Sequence, residues 1–140
     1  MTERLDTHDQ LLNTQSGTVD TMTLEQKPHD PKQYHTMVTG APFDPKAACP
    51  MWMKFLDWAM RGDKDLVSFL QRAAGYTVTG FIREAVFFLC YGVGGNGKST
   101  FLNTLMHVLG DYATYCDIEL FMLSKAQASA NSAENRKSVV

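Results

Sequence analysis

The pattern of apolar and polar residues is clearest between Ala85 and Gly110. An unbroken apolar run over Ala85–Tyr91 has the length and the aromatic and aliphatic content of a strand buried on both faces. After a glycine-rich segment, apolar residues recur at helical spacing, and Gly110 stands where a helix terminator in the left-handed conformation belongs. The pattern predicts a buried strand, a tight turn and a helix whose apolar face consists of Phe101, Leu102, Leu105, Met106 and Leu109.

Two further helices are predicted before this unit. Pro50–Met60 begins with a proline, which is favoured in a first helical turn, and it ends before Gly62. Its apolar residues cover more than half of its circumference, which predicts a helix packed between neighbours; base stacking by its tryptophans is the less favoured alternative. Asp63 is a suitable N-cap for a second helix over Lys64–Ala74, with Gly75 as its terminator.

The N-terminal part of the chain predicts short strands. Two of them follow Leu11, joined by a turn at Ser16–Gly17, and Pro28 and Pro31 mark the exit from the pair. Thr36–Pro45 predicts a further strand that fades into a loop.

Several polar residues in this part could belong to a site, but structural roles explain them better. Turn chemistry accounts for Asn13, Thr14 and Gln15. His29 and His35 are isolated and close to prolines, so we expect surface positions for them and not metal ligation.

The remaining segments set the predicted domain boundaries. We predict a disordered tail over residues 1–10 and a strand–turn–strand unit with a helical domain over residues 11–79. A partial phosphate-binding-loop ATPase domain is predicted over residues 80–140. The fold class is α/β: a small, mostly helical N-terminal domain followed by the opening βα unit of the ATPase core. Smaller expectations are a connector at Tyr76–Gly80, a short helix or lead-in at Phe81–Glu84, a short helix at Asp117–Leu123, an unstructured stretch at Gln127–Asn135, and a basic flank with the start of a second strand at Arg136–Val140.

Composition excludes some classes of function. The 140 residues carry 13 basic and 15 acidic side chains, for a formal charge of −2, so no general attraction to nucleic acid or to an anionic membrane follows. The N-terminus lacks the apolar core of a signal peptide, and no apolar run is long enough to span a membrane. The three cysteines, Cys49, Cys90 and Cys116, lack metal-like spacing, which predicts reduced, buried thiols of a cytoplasmic protein.

The segment between the predicted strand and helix carries the chemistry. Its residues satisfy the Gly-x-x-x-x-Gly-Lys-Ser pattern of a phosphate-binding (Walker A) loop, in the strand-to-helix context that such a motif requires. Its glycines let backbone N–H groups approach phosphate oxygens at the positive end of the helix. We expect Lys98 to reach the β- and γ-phosphates of ATP, Ser99 to coordinate Mg²⁺ through its hydroxyl, and Thr100 to add a hydroxyl near the α-phosphate. The predicted nucleotide-binding residues are Gly92, Val93, Gly94, Gly95, Asn96, Gly97, Lys98, Ser99 and Thr100.

The motifs, in this order, resemble the C-terminal region of phage- and plasmid-encoded DNA primase–helicase proteins, whose motor belongs to helicase superfamily III. The stretches that carry the resemblance lie within residues 11–112: LLNTQSGTVD, KPHDP, CPMWMKFLDW, DLVSFLQRAAGY, TVTG, FFLCYGVGGNGKSTFLNTL and LGDY. The resemblance implies a poxvirus-type helical domain before about residue 79 and an AAA+-like core after it. It also implies a hexameric homo-oligomeric ring that binds ATP between subunits and single-stranded or forked DNA in its channel, in the cytoplasm of a bacterial host.

Parts of such a motor have no counterpart in these residues. Nucleoside triphosphatases use an acidic residue at the end of a second apolar strand, a polar sensor and an arginine finger. Because none of these is recognisable after Ser99, we expect a truncated ATPase that retains nucleotide binding at most, as in a prophage remnant or an artificially short open reading frame. Two alternatives stay open: a P-loop kinase of a small metabolite, and a non-catalytic docking module with a vestigial nucleotide loop.

Overall fold

The computed structural model describes residues 5–117, which form a small antiparallel sheet and three helices. The strands are β1 Leu11–Thr14, β2 Gly17–Asp20 and β3 Gln26–Lys27, in the spatial order β1-β2-β3. The helices are α1 Pro50–Ala59, α2 Lys64–Val78 and α3 Lys98–Leu109. Single 3₁₀ turns lie at Pro31–Gln33 and Gly110–Tyr112. The structure is therefore a small α/β fold, and an ATPase core is not confirmed by it.

The predicted hairpin of β1 and β2 is confirmed. Leu12 pairs with Val19 across the two strands, and Val19 is buried. The third strand was not predicted, because a strand of two residues has no alternation to detect. The strand predicted at Thr36–Pro45 is wrong: this segment has no regular structure, and the N–H of Thr39 alone donates to β1, at the carbonyl of Asn13 (3.0 Å).

The helical predictions are confirmed for α1 and α3 and wrong for the end of α2. The Asp63 carboxylate caps α2 as expected, accepting hydrogen bonds from the backbone N–H groups of Asp65 (3.0 Å) and Leu66 (3.1 Å). The helix then continues through Gly75 to Val78. A glycine inside a helix costs only about 1 kcal/mol, which the surrounding turns offset. The connector predicted at Tyr76–Gly80 therefore begins three residues later than expected, at Thr79.

The strand predicted at Ala85–Tyr91 is also wrong for this structure. The segment has no regular structure and is exposed, with Phe87 at 83% and Tyr91 at 87% of their full accessibility. A strand exists only where a neighbour supplies the partners for its backbone N–H and C=O groups. No such neighbour lies beside it within residues 5–117. The second strand expected at the C-terminus, and most of the expected Asp117–Leu123 helix, lie outside the described residues.

Burial is limited. The buried apolar side chains of the described residues are Val19, Leu56 and Leu109. Met51 and Trp58 of α1 remain exposed, so the expectation of a helix enclosed by neighbours over half its surface is wrong for these residues. The prediction of buried thiols is wrong as well, because all three cysteines are exposed. Each lies on or beside a segment that this small core does not cover.

The segment Val38–Gly40, which follows the sheet in the chain, is joined to the C-terminal end of α3 by backbone contacts. The Gly40 N–H donates to the carbonyl of Val108 (2.9 Å), and the Asp111 N–H donates to the carbonyl of Val38 (3.1 Å). The Asp111 carboxylate accepts from the Val38 N–H (3.1 Å). These bonds fix α3, and with it the glycine-rich loop before it, relative to the sheet.

Residues 5–10, part of the segment predicted as a tail, also make contacts. The Asp6 carboxylate accepts hydrogen bonds from the backbone N–H and the hydroxyl of Thr36, and the Asp9 carbonyl accepts from the N–H of Gly80 (2.9 Å). None of the helices among the described residues has the length and apolar character that crossing a membrane requires.

Candidate functional site

The glycine-rich loop leads directly into α3. Gly97 is the N-cap, with a φ of +88°, and its carbonyl accepts the first helical hydrogen bond, from the Phe101 N–H (2.9 Å). Gly92 and Gly95 also have positive φ, +142° and +76°. The loop is therefore a compact turn that ends at the N-terminus of a helix, where backbone N–H groups lack partners within the helix.

Lys98 closes this loop. Its ammonium group donates to the carbonyl oxygens of Gly92 (3.0 Å) and Val93 (3.1 Å) and to the side-chain oxygen of Asn96 (2.8 Å). All three acceptors are neutral, so the positive charge of Lys98 is not compensated by a carboxylate in these contacts. The result is a cationic group held at the mouth of a turn that lies against a helix N-terminus, an arrangement that attracts anions.

Helix α1 supports the loop from one side. Phe55 lies against Gly97, and the Trp52 ring stacks on Phe101 of α3 with 5.6 Å between ring centroids and 18° between planes. Trp52 also contacts Phe55, with centroids 5.3 Å apart. This aromatic cluster positions the N-terminal end of α3.

An open groove of about 790 Å³ separates the end of α1 from the tip of the loop. This volume lies within the range of ~300–1,000 Å³ found for small-molecule sites. Sequence reasoning did not assign the α1 side of the groove, because the residues there are distant from the loop in the chain and carry no motif. The lining residues are Asp57, Trp58, Ala59, Arg61, Gly62, Val93, Gly94, Gly95 and Asn96.

The hydroxyl residues predicted for this site occupy the first turn of α3. Ser99 and Thr100 are both exposed. The backbone carbonyl of Thr100 accepts a hydrogen bond from the Thr104 hydroxyl (2.8 Å) within the helix. Their roles toward metal and phosphate stay predictions. The structure thus brings together the whole predicted loop, Gly92 to Lys98, and places Ser99 and Thr100 immediately behind it.

The polar residues of the N-terminal turn are satisfied within the chain: Thr14 by a contact inside the turn, as predicted, and Asn13 and Gln15 by contacts with the distant segment Met37–Gly40. The Asn13 amide donates to the carbonyl of Met37 (2.8 Å), and the Thr14 hydroxyl donates to that of Gly17 (2.7 Å). The Gln15 amide donates to the carbonyl of Gly40 (3.0 Å).

The two histidines share a second hollow, of about 490 Å³. His29 is exposed, as expected, and hydrogen-bonded to Asn13 (3.0 Å). The surface position expected for His35 is wrong, because this residue is half-buried and its Nε2 has no hydrogen-bond partner among residues 5–117. Burial lowers the pKa of His35 below 6.5; nearby His8 and His29 act in the same direction and Asp6 opposes them. Within residues 5–117, no group of three or more potential ligands could hold a metal ion.

Comparison with known proteins places one part of the chain. No curated protein matches the chain. Residues 1–61, which contain the sheet and α1, match the family model described as D5 N terminal like. That model is found in phage and plasmid primase–helicase proteins, and the match covers the first half of the region in which the sequence resembles them. The sheet and the helix that supports the loop are therefore similar to the D5 N-terminal region, which suggests a replication protein of the primase–helicase type.

Proposed function

We propose that this protein binds ATP with Mg²⁺ at the glycine-rich loop and belongs to a replication machine that uses the nucleotide to unwind DNA. The observation that carries the proposal is the position of Lys98, held at the mouth of a loop that leads into a helix N-terminus. The match of residues 1–61 supports the setting in DNA replication.

The chain's own groups would divide the work of binding. Backbone N–H groups of the loop and of the first turn of α3 would hold phosphate oxygens, and Lys98 would exchange some of its carbonyl partners for them. Ser99 would hold Mg²⁺ through its hydroxyl, and the ion would supply charge neutralisation between the phosphates. Thr100 would lie near the α-phosphate. In a ring of several copies, single-stranded or forked DNA would be the partner.

A titration tests the proposal. The chain of residues 1–140 is titrated with a fluorescent ATP analogue in the presence of Mg²⁺, with quenching of the exposed Trp58 as a second signal. We expect saturable binding that Lys98→Ala weakens by about tenfold or more, because a hydrogen bond to a charged group is lost. Lys54→Ala removes an exposed lysine that does not line the groove and is the matched control.

The outcomes separate the competing functions. Absence of binding by the unchanged chain would contradict the proposal and favour a docking role for the D5-like part of the chain, residues 1–61. Phosphate release that is stimulated by DNA and abolished by Lys98→Ala would support a motor. Transfer of phosphate to a metabolite instead of water would support the kinase alternative.

A further inference from the structure

The turn between α1 and α2 forms the side of the groove that faces the loop. Its conformation is pinned by the Arg61 N–H, which donates to the carbonyl of Trp58 (3.1 Å), and by the Gly62 N–H, which donates to that of Asp57 (2.8 Å). Arg61 has a φ of +55°, in the left-handed region that residues other than glycine seldom adopt. The backbone of Arg61 is thus held at one place on the wall of the groove.

Charge on this wall is distributed unevenly. Arg61 is the cationic residue among the groove's lining, and Asp57 is the acidic one. The Asp57 carboxylate is paired with the Lys64 ammonium at 2.6 Å, the one ion pair among residues 5–117. Among residues 5–117, Arg61 therefore has no carboxylate partner, and its positive charge lies on the wall of the groove opposite the tip of the loop, Val93–Asn96.

We propose that Arg61 is a second cationic ligand for the polyphosphate of a nucleotide held by the loop, contributed by the same chain. This inference rests on the proposed function. A guanidinium group offers paired N–H donors that match the oxygens of a phosphate group. Arg61 shares the groove with the tip of the loop, whereas Thr100, which is expected near the α-phosphate, does not line it. The phosphate assigned to Arg61 is therefore the terminal one, and the site prefers a nucleoside triphosphate to a diphosphate.

Binding measurements on matched variants test this assignment. Fluorescent analogues of ATP and ADP are titrated, with Mg²⁺, into the unchanged chain, Arg61→Gln and Lys54→Gln. Both substitutions remove one positive charge from an exposed residue, but Lys54, in α1, does not line the groove. We expect Arg61→Gln to weaken ATP binding by about tenfold and ADP binding by less than about threefold, with Lys54→Gln within about twofold for both.

A second variant protects the test from a folding artefact. Asparagine tolerates the left-handed conformation that position 61 requires, so Arg61→Asn keeps the turn while removing the charge. Its thermal unfolding curve is compared with that of the unchanged chain, and its selectivity between ATP and ADP should fall as in Arg61→Gln.

Each contrary result has its own meaning. Unchanged ATP affinity in both Arg61 variants, with binding still lost in Lys98→Ala, would overturn the role of Arg61 and leave the proposed function intact. Equal losses for ATP and ADP, or an equal loss in Lys54→Gln, would overturn contact with the terminal phosphate. Failure of the unchanged chain to bind either analogue would instead overturn the proposed function.

Discussion

The ring of Phe55 occupies the space in which a side chain at Gly97 would begin. A Cβ built at position 97 would lie 2.9 Å from Cε2 and 3.0 Å from Cζ of the ring, closer than real Cβ atoms approach a neighbour. The D5-like part of the chain, which contains Phe55, is thus in direct contact with the loop proposed to hold the nucleotide. A side chain at position 97 is therefore disfavoured on two grounds, the positive φ of Gly97 and the lack of space beside Phe55.

We first predict that Gly97→Ala abolishes nucleotide binding and lowers the midpoint of thermal unfolding. The added methyl group must displace Phe55 and strain a backbone with a φ of +88°. Gly94→Ala is the control within the same loop, since its Cβ would meet nothing within 4 Å and its φ is not positive. Equal effects of the two substitutions on unfolding would contradict the packing of α1 against the loop.

A second prediction concerns the contact between Gly40, which follows the sheet in the chain, and the C-terminal end of α3. A Cβ at Gly40 would lie 1.9 Å from the His107 carbonyl oxygen, so Gly40→Ala should lower the free energy of unfolding by at least about 3 kcal/mol. Gly75→Ala, with open space around it inside α2, should instead raise that free energy by about 0.5–1 kcal/mol. Urea denaturation measures both, and a stable Gly40→Ala variant would show that this junction does not form.

The third prediction concerns Tyr112, whose hydroxyl lies between Asn13 of β1 and Met37. It accepts from the Asn13 N–H (3.1 Å) and donates to the Met37 carbonyl (3.3 Å). Tyr112→Phe should lower the free energy of unfolding by about 1–2 kcal/mol, because the Asn13 N–H loses its partner in a partly buried place. Tyr115→Phe, which removes an exposed hydroxyl bonded to Asn103, should change it by less than about 0.5 kcal/mol.

The fourth prediction is a pH dependence set by His35. Burial lowers its pKa in the folded chain below 6.5, so the unfolded chain binds the proton more readily. Stability contributed by the neutral ring is complete above pH 6.5 and is lost as the pH falls through the folded-state pKa. The neighbouring charges of Asp6, His8 and His29 modify the shift without reversing it.

Urea denaturation at pH 8 and pH 5 measures this dependence in the unchanged chain and in His35→Gln. The difference in unfolding free energy between the two pH values should be smaller in the variant, because one of the groups that bind protons on unfolding is gone. A variant with the same or a larger difference would contradict the assignment to His35.

Local patterns in the chain were sufficient for several elements. The hairpin follows from the turn at Ser16–Gly17, α1 from a proline at the start of an apolar-rich stretch, and α3 from helical spacing that ends at Gly110. The terminator does have a positive φ of +58°, although its ψ of −122° is not that of the left-handed helix. These features depend on contacts between residues close in sequence, and the glycine-rich loop is recognised from a short local motif in the same way.

Other features depended on partners that a local pattern does not contain. Gly75 is of a residue type that often ends a helix, yet the turns around it keep α2 helical to Val78. Ala85–Tyr91 has the composition of a buried strand but is not one here, because pairing requires a neighbour.

The sequence by itself determined α1, α3, the start of α2 and the residue composition of the glycine-rich loop, since these follow from residue types at short, regular spacing. Only the tertiary structure decided that Phe55 supports Gly97 and that Arg61 lines the opposite wall of the groove. The physical reason is that these contacts join residues separated along the chain, and their geometry is set by how α1 packs on α3.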